Sequence, residues 1–141
     1  MTNSAENSAR LQSFAEAYTA AWCSQDAARV ASFYAEDGSL SVNDAAPAVG
    51  RGAITAVAQG FMTAFPDMQV SLDELRLEAD RAVYHWTLTG TNTGPGGTGR
   101  RVRISGFEAW RIGDDGLIAE SRGNFDTSDY QRQLEGGVEV R

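Results

Sequence analysis

Glu108 is one of two acids whose neighbours and position could give them chemistry. In a strand spanning residues 101–112 it shares a face with Gly106 and Trp110, while Phe107, Ala109 and Arg111 take the other. A carboxyl beside an indole inside an apolar cavity has its pKa displaced and can serve in proton transfer. The alternative is a solvated acid, or an Arg partner, on the outer face of the sheet. Asp126 is the second candidate. It follows Phe125 and precedes Thr127-Ser128 at the end of the last strand, a place where Asp also caps a helix. Strand parity puts Ser121, Gly123 and Phe125 on one face and Glu120, Arg122, Asn124 and Asp126 on the other. With Phe125 inward, Asp126 reaches a cavity only through a bulge or from the strand end. Tyr18 and Trp22, four apart on a helix, share a face that is either plain core or cavity wall. Phe61, Phe65, Tyr84, Trp86 and Leu88 pose the same choice.

Composition removes much of the remaining chemistry. Nineteen acids face 12 cations in 141 residues, and every cation is Arg. The absence of Lys excludes Schiff-base and P-loop mechanisms. A net charge of -7 disfavours phosphate-rich or anionic-membrane partners. A single Cys, Cys23, and a single His, His85, exclude an intrachain disulfide and Cys/His zinc sites. The acids lack metal-ligand spacing, so no metal and no cofactor are expected. His85 alternates against Tyr84 and Trp86 and is read onto the outer sheet face. The polar N-terminus, MTNSAENSAR, does not read as a signal peptide, and no apolar run is long enough to span a membrane. A cytoplasmic location is the expectation.

The elements that must position these residues follow from periodicity. Leu11, Phe14, Ala15, Tyr18, Ala21 and Trp22 recur at three and four, predicting a helix over 8–23 with Ser8 as cap. A second helix is predicted over Asp26–Tyr34, a short strand over Ser39–Val42, and a third helix over Ala53–Ala64, ended by Pro66. From residue 67 the period becomes two. Strands are predicted over Met68–Leu77, Ala82–Thr91, Arg101–Ile112 and Leu117–Phe125, with a turn at Ala79-Asp80-Arg81 and a Gly-rich loop over Thr93–Gly99. The tail Glu135–Arg141 reads as frayed. Helices first and hairpin strands afterwards give one α+β domain over 1–141, its core at about 8–130. Three N-terminal helices pack on one face of a mostly antiparallel sheet. Strong curvature of that sheet would enclose a cone with a pocket at its open end.

The order of these elements, with DAARVASFYAED (Asp26–Asp37), GRGAI (Gly50–Ile54), WTLTGTNTG (Trp86–Gly94) and the stretch Trp110–Asp126, resembles the nuclear-transport-factor-2-like superfamily. Within it the chain is most similar to the SnoaL-like polyketide cyclase group. The resemblance implies a cone-shaped α+β barrel and a homodimer through the outer sheet face. It also implies a cofactor-independent cyclase or isomerase acting on an apolar carbonyl compound. On that likeness Asp126 is the general acid/base, since proton abstraction next to a carbonyl needs a carboxylate held in an apolar cavity. Tyr18 and Glu108 match the oxyanion-binding positions of the isomerase branch, with Asn124 beside them. Trp22, Phe61, Phe65, Trp86, Trp110 and Asn124 would contact substrate.

The pattern also departs from the family. Asn92 stands where cyclase-like members carry His, and Ser121-Arg122 where they carry His-Trp. Val42 stands where the isomerase base belongs, with Asn43 and Asp44 just beyond. An epoxide hydrolase of the limonene type shares Arg122–Asp126 but needs an Arg and an Asp on an inner strand, where Tyr84-His85-Trp86-Thr87 stand. A binding domain for a small hydrophobic ligand, or a dimerisation module using Val83, Thr87, Ile104 or Phe107, are the non-catalytic alternatives.

Overall fold

The computed structural model describes residues 4–78 and 81–137. Helix α1 spans Ser4–Trp22 and α2 spans Ala27–Ala31. Strand β1 covers Tyr34–Val42, β2 Ala48–Val49, and helix α3 Arg51–Ala64. Four long elements follow: β3 Gln69–Glu78, β4 Arg81–Thr91, β5 Arg101–Ile112 and β6 Ile118–Phe125. A last helix, α4, covers Thr127–Gly136. One six-stranded sheet has the order β2-β1-β6-β5-β4-β3. All neighbours are antiparallel except β1 and β6, which run parallel. The curved sheet and the helices packed on it form the expected α+β cone, with a fourth helix added at the C-terminal end. No helix among the described residues is long and apolar enough to cross a membrane.

The core lies between α1, α3 and the inner sheet face. Ala15, Tyr18, Ala21 and Trp22 of α1 meet Ile54, Ala58 and Met62 of α3 and the inward residues Ala82, Tyr84, Leu88, Val102, Ile104 and Trp110. Alternation along β5 is strict at its start: Val102 and Ile104 are buried, while Arg101, Arg103 and Ser105 are exposed. Ile104 is thus an inward residue, and only Val83, Thr87 and Phe107 of the expected outer set lie outward.

The main local departure is at Tyr34. The apolar spacing of Val30, Phe33 and Tyr34 fits a helix, but α2 ends at Ala31 with Ser32 as its cap. Tyr34 instead begins a strand, opposite Ile118 of β6, and the Ile118 N–H donates to the Phe33 carbonyl at 2.9 Å. Between Tyr34 and Ser39 the register slips, and Gly38 lies so close to β6 that a Cβ there would come within 2.8 Å of the Ile118 carbonyl. Arg51, from the Gly-Arg-Gly segment, holds this irregular stretch by donating to the Tyr34 carbonyl at 3.0 Å. Helix α1 starts earlier than Ser8, and the other strand boundaries shift by one residue or none. The expected turn at Ala79-Asp80 and the last residues of the tail lie outside the described residues.

Candidate active site

Parity and register carry Glu108 to the inner face. It pairs with Tyr84 on β4 and with Gly123 on β6, so the strands on both sides keep it in line with the core. The missing side chain at Gly123 leaves room there: a Cβ would touch the Glu108 Cγ at 3.6 Å. Glu108 as a whole is 7% exposed. Its Oε1 accepts three hydrogen bonds, from the Tyr18 hydroxyl, the Trp110 indole N–H and the Ser121 hydroxyl, each at 2.9 Å. Since Tyr18 spends its proton on Glu108, the Tyr34 hydroxyl donates to Tyr18 at 2.8 Å. Four elements therefore converge on one oxygen: α1, β5 and β6 directly, and β1 through Tyr34.

Burial raises the Glu108 pKa above its usual value of 4.5, against the opposing pull of the bonds from Trp110, Ser121 and Tyr18. Burial likewise pushes the Tyr18 and Tyr34 hydroxyls well above 10, with the Glu108 charge adding to it. Both tyrosines are thus neutral hydrogen-bond donors. With Oε1 fully committed as an acceptor, a proton on this carboxyl resides on Oε2.

Glu108 also lines a cavity between sheet and helices. Its wall includes Trp22, Leu40, Val42, Val57, Phe61, Val70, Tyr84, Trp86, Leu88, Ile104 and Phe125, with Gly123 and Asn124 beside the carboxyl. The cavity has a volume of about 60 Å³. Almost all of this surface is carbon. Among the described residues the one titratable lining group besides Glu108 is Tyr84, whose hydroxyl is bonded to Thr19 Oγ1 at 2.6 Å and whose pKa burial raises above its usual value of 10. Tyr84 stacks on Trp110, with centroids 4.9 Å apart, and Tyr18 meets both rings edge-on. These contacts fix the platform behind the carboxyl.

Of the residues read from the sequence, Glu108, Trp22, Phe61, Trp86 and Asn124 meet at this cavity. Asn124 pairs with Phe107, an outward residue, so what it offers inside is main chain rather than its amide. Tyr18 stands behind the wall, in contact with Glu108. Phe65 and Trp110 are both fully buried core and do not line the cavity. Phe65 packs under Gly90, and Trp110 is committed to Glu108.

Asp126 is not brought to the cavity. It is exposed, it caps α4, and its carboxylate accepts from the Asp129 N–H at 3.0 Å. Parity is the reason: Phe125 takes the inward position and no bulge lies between them. Arg122 is exposed and lies 3.5 Å from Glu120, so the hydrolase arrangement is not assembled. His85 is on the outer face against Phe107, with centroids 6.0 Å apart. Asn92 is buried in the Gly-rich loop instead. Its amide donates to the Ala64 carbonyl and accepts from the Thr98 N–H, so it ties that loop to the end of α3. Among the described residues no cluster of His, Cys, Asp or Glu could hold a metal ion.

Two members of the polar cluster escaped the sequence reading. Ser121 carries no chemical signal of its own, although its inward parity was legible. Tyr34 has the apolar spacing of a helix and yet begins β1. Asn43, just past the end of β1, was also missed as a structural device. At φ +51° it accepts from the Phe125 N–H at 2.8 Å and donates to Thr127 Oγ1 at 3.0 Å, fastening β1 to the start of α4.

The sequence and the fold both match a known class. Residues 12–134 match the SnoaL-like polyketide cyclase family, and the chain belongs to it. Solved structures agree on the architecture. TsrD from Streptomyces laurentii is 25% identical, with a TM-score of 0.76 over 89% of this chain and 95% of that one. A protein with a ketosteroid isomerase-like fold from Catenulispora acidiphila, in complex with trimethylamine, is 16% identical, with a TM-score of 0.75 over 89% and 93%. An NTF2-like protein from Burkholderia pseudomallei is 19% identical, also at 0.75, over 89% and 97%. No curated protein sequence matches the chain.

Proposed function

We propose that this protein is a small cofactor-independent enzyme of the cyclase or isomerase type, and that Glu108 moves the proton on an apolar carbonyl compound. The observation that carries this is the single buried carboxyl in the wall of an otherwise apolar cavity, with one oxygen held by three donors. A carboxylate whose pKa is raised is a stronger base, and its Oε2 is the atom left for chemistry. In the proposed step Oε2 takes a proton from the carbon next to the ketone. The C–H bond breaks, the O–H bond forms, and the electron pair passes to the carbonyl oxygen as an enolate. Return of the proton to another carbon completes an isomerisation. Attack of the enolate carbon on a second carbonyl completes a ring closure, the proton then ending on the new alkoxide.

The test uses 1-tetralone, a flat apolar ketone with exchangeable α-protons, followed by NMR in heavy water. The native protein is expected to accelerate exchange, and Glu108→Gln to lose about 10²-fold or more of that acceleration, the usual worth of a positioned acid/base. Equal rates in the two proteins would sink the assignment. A second reading, a non-catalytic binding domain, is favoured by the absence, among the described residues, of a second carboxylate on the cavity wall. It requires 1-tetralone to bind without exchanging faster than in buffer. A cytoplasmic homodimer, paired through the outer sheet face where Phe107 is 37% exposed, completes the proposal. Sedimentation of native protein and Phe107→Glu measures that pairing.

A further inference from the structure

The inward residues of neighbouring strands lie in rows across the sheet. Glu108 belongs to the row Val42, Gly123, Glu108 and Tyr84, drawn from β1, β6, β5 and β4. The row on one side of it contains Ser121 and Trp110, and the row on the other contains Phe125, Gly106 and Trp86. Ser121 and Trp110 supply donors to Oε1 and do not line the cavity. The side of Glu108 that meets the cavity is therefore the side of Gly123 and Phe125, which do line it.

Two of the positions around Glu108 are glycines, and they serve different ends. At Gly106 a Cβ would come within 2.2 Å of the Asn124 carbonyl oxygen and 2.7 Å of the Trp86 Cζ2, so an indole already fills that gap. At Gly123 the atoms nearest a Cβ would be the Ser41 carbonyl oxygen at 3.4 Å, the Glu108 Cγ at 3.6 Å and the Phe107 carbonyl oxygen at 3.9 Å, all ordinary contacts. Its φ is outside the left-handed region as well. Neither crowding nor backbone conformation requires a glycine at 123, and a glycine inside a strand weakens it. What the bare backbone does is leave a methyl-sized gap in the cavity wall, between Val42 and the stem of Glu108.

We propose that Gly123 is a specificity-determining residue: the gap over it receives a small alkyl branch on the carbon that loses its proton to Glu108. The substrate class is then a ketone branched at the reacting carbon, so that the C–H bond broken is a tertiary one. An unbranched carbon leaves the gap empty and forfeits the contacts of its lining. The step is otherwise unchanged, Oε2 taking the proton and the electron pair passing to the carbonyl oxygen. This rests on the reading of Glu108 as the group that moves the proton, and it adds the shape of the carbon it acts on.

Exchange of the α-proton in heavy water is compared for 1-tetralone and 2-methyl-1-tetralone, each rate taken relative to its own rate in buffer. The native protein is expected to accelerate the methylated ketone at least as strongly as the plain one. Gly123→Ala fills the gap and should reduce the acceleration of 2-methyl-1-tetralone about tenfold more than that of 1-tetralone, the usual worth of one misfitted methylene. Val42→Ala widens the same gap from β1 and should shift the preference the other way, towards 2-ethyl-1-tetralone, so the test survives a Gly123→Ala protein that does not fold. A native preference for plain 1-tetralone, or an unaltered ratio in the variants that fold, would overturn the role of Gly123 and leave that of Glu108 standing. If the native protein accelerates neither ketone, the Glu108 reading itself fails, and this inference with it.

Discussion

Glu108 and Asp126 are carboxyls on neighbouring stretches of one chain, and they have opposite fates. Glu108 sits mid-strand between two paired strands, at a position whose parity faces the core. It is buried, it collects three donors on one oxygen, and burial raises its pKa. Asp126 lies one residue beyond the end of β6, faces water, and uses its oxygen to close the first turn of α4. The motif Arg-Gly-Asn-Phe-Asp draws attention to the second, yet backbone geometry gives the chemical environment to the first. A side chain becomes reactive through the desolvation and donors the fold places around it, and a strand changes both within a single residue step.

That contrast can be broken at either end, and the largest effect is expected at Glu108. Glu108→Leu removes the acceptor shared by Tyr18, Trp110 and Ser121 and leaves buried donors unpaired, so stability should fall by about 3 kcal/mol or more. Glu108→Gln keeps an acceptor oxygen and should cost clearly less. Urea unfolding of the two variants beside the native protein measures the difference, and equal losses would show that the three bonds do not stabilise the fold.

A pH series sharpens the same point. The folded pKa of Glu108 lies above its unfolded value, so between the two the folded state binds the extra proton. Its favourable contribution is complete below pH 4.5 and is lost as pH rises through the folded pKa, at up to ~1.4 kcal/mol per pH unit. Asp67 and Glu120 behave in the opposite sense. Hydrogen bonds from Thr91 and from Arg81, respectively, lower their pKa values, so their contribution is lost as pH falls. Glu108→Gln should therefore flatten the decline above pH 4.5 and leave the acid limb intact. A decline of unchanged slope in that variant would assign the dependence to another group.

The smallest effect belongs to Asp126. Asp126→Ala should cost about 1 kcal/mol through the lost cap of α4, read as a lower unfolding midpoint, with 1-tetralone exchange unchanged. A collapse of exchange in a folded Asp126→Ala protein would reverse the assignment of the two carboxyls.

The parts of the molecule that were legible in advance are those governed by local pattern. The alternation along β5 placed Glu108 and Trp110 on one face, and the helical spacing of Tyr18 and Trp22 placed both inward. What local pattern could not supply was the partner across the sheet. Tyr34 has helical spacing with Val30, but its backbone is claimed by Ile118, more than eighty residues away. With Tyr34 misassigned, the second tyrosine of the polar cluster was out of view. Parity also carried the warning that Asp126 would miss the cavity, which the cyclase resemblance alone would have overridden. The divide between wall and core, which separated Trp86 from Trp110, depends on where the curved sheet leaves a gap, and no spacing rule encodes that.

The parallel pairing of β1 with β6 has a consequence for how the molecule comes into being. Apart from the two-residue β2, the first strand finds its neighbour only in the last one, so the middle of the sheet is the part closed latest in chain order. Contacts this distant in sequence carry a large loop-closure cost and slow folding. Ser121 arrives with that final strand, as do the Gly123 that makes room for the carboxyl and the Phe125 that walls the cavity. A chain emerging during synthesis has all three helices of the cone, the Gly-rich loop and most of its sheet before it has an active-site candidate at all. The pocket is completed by the same event that completes the fold.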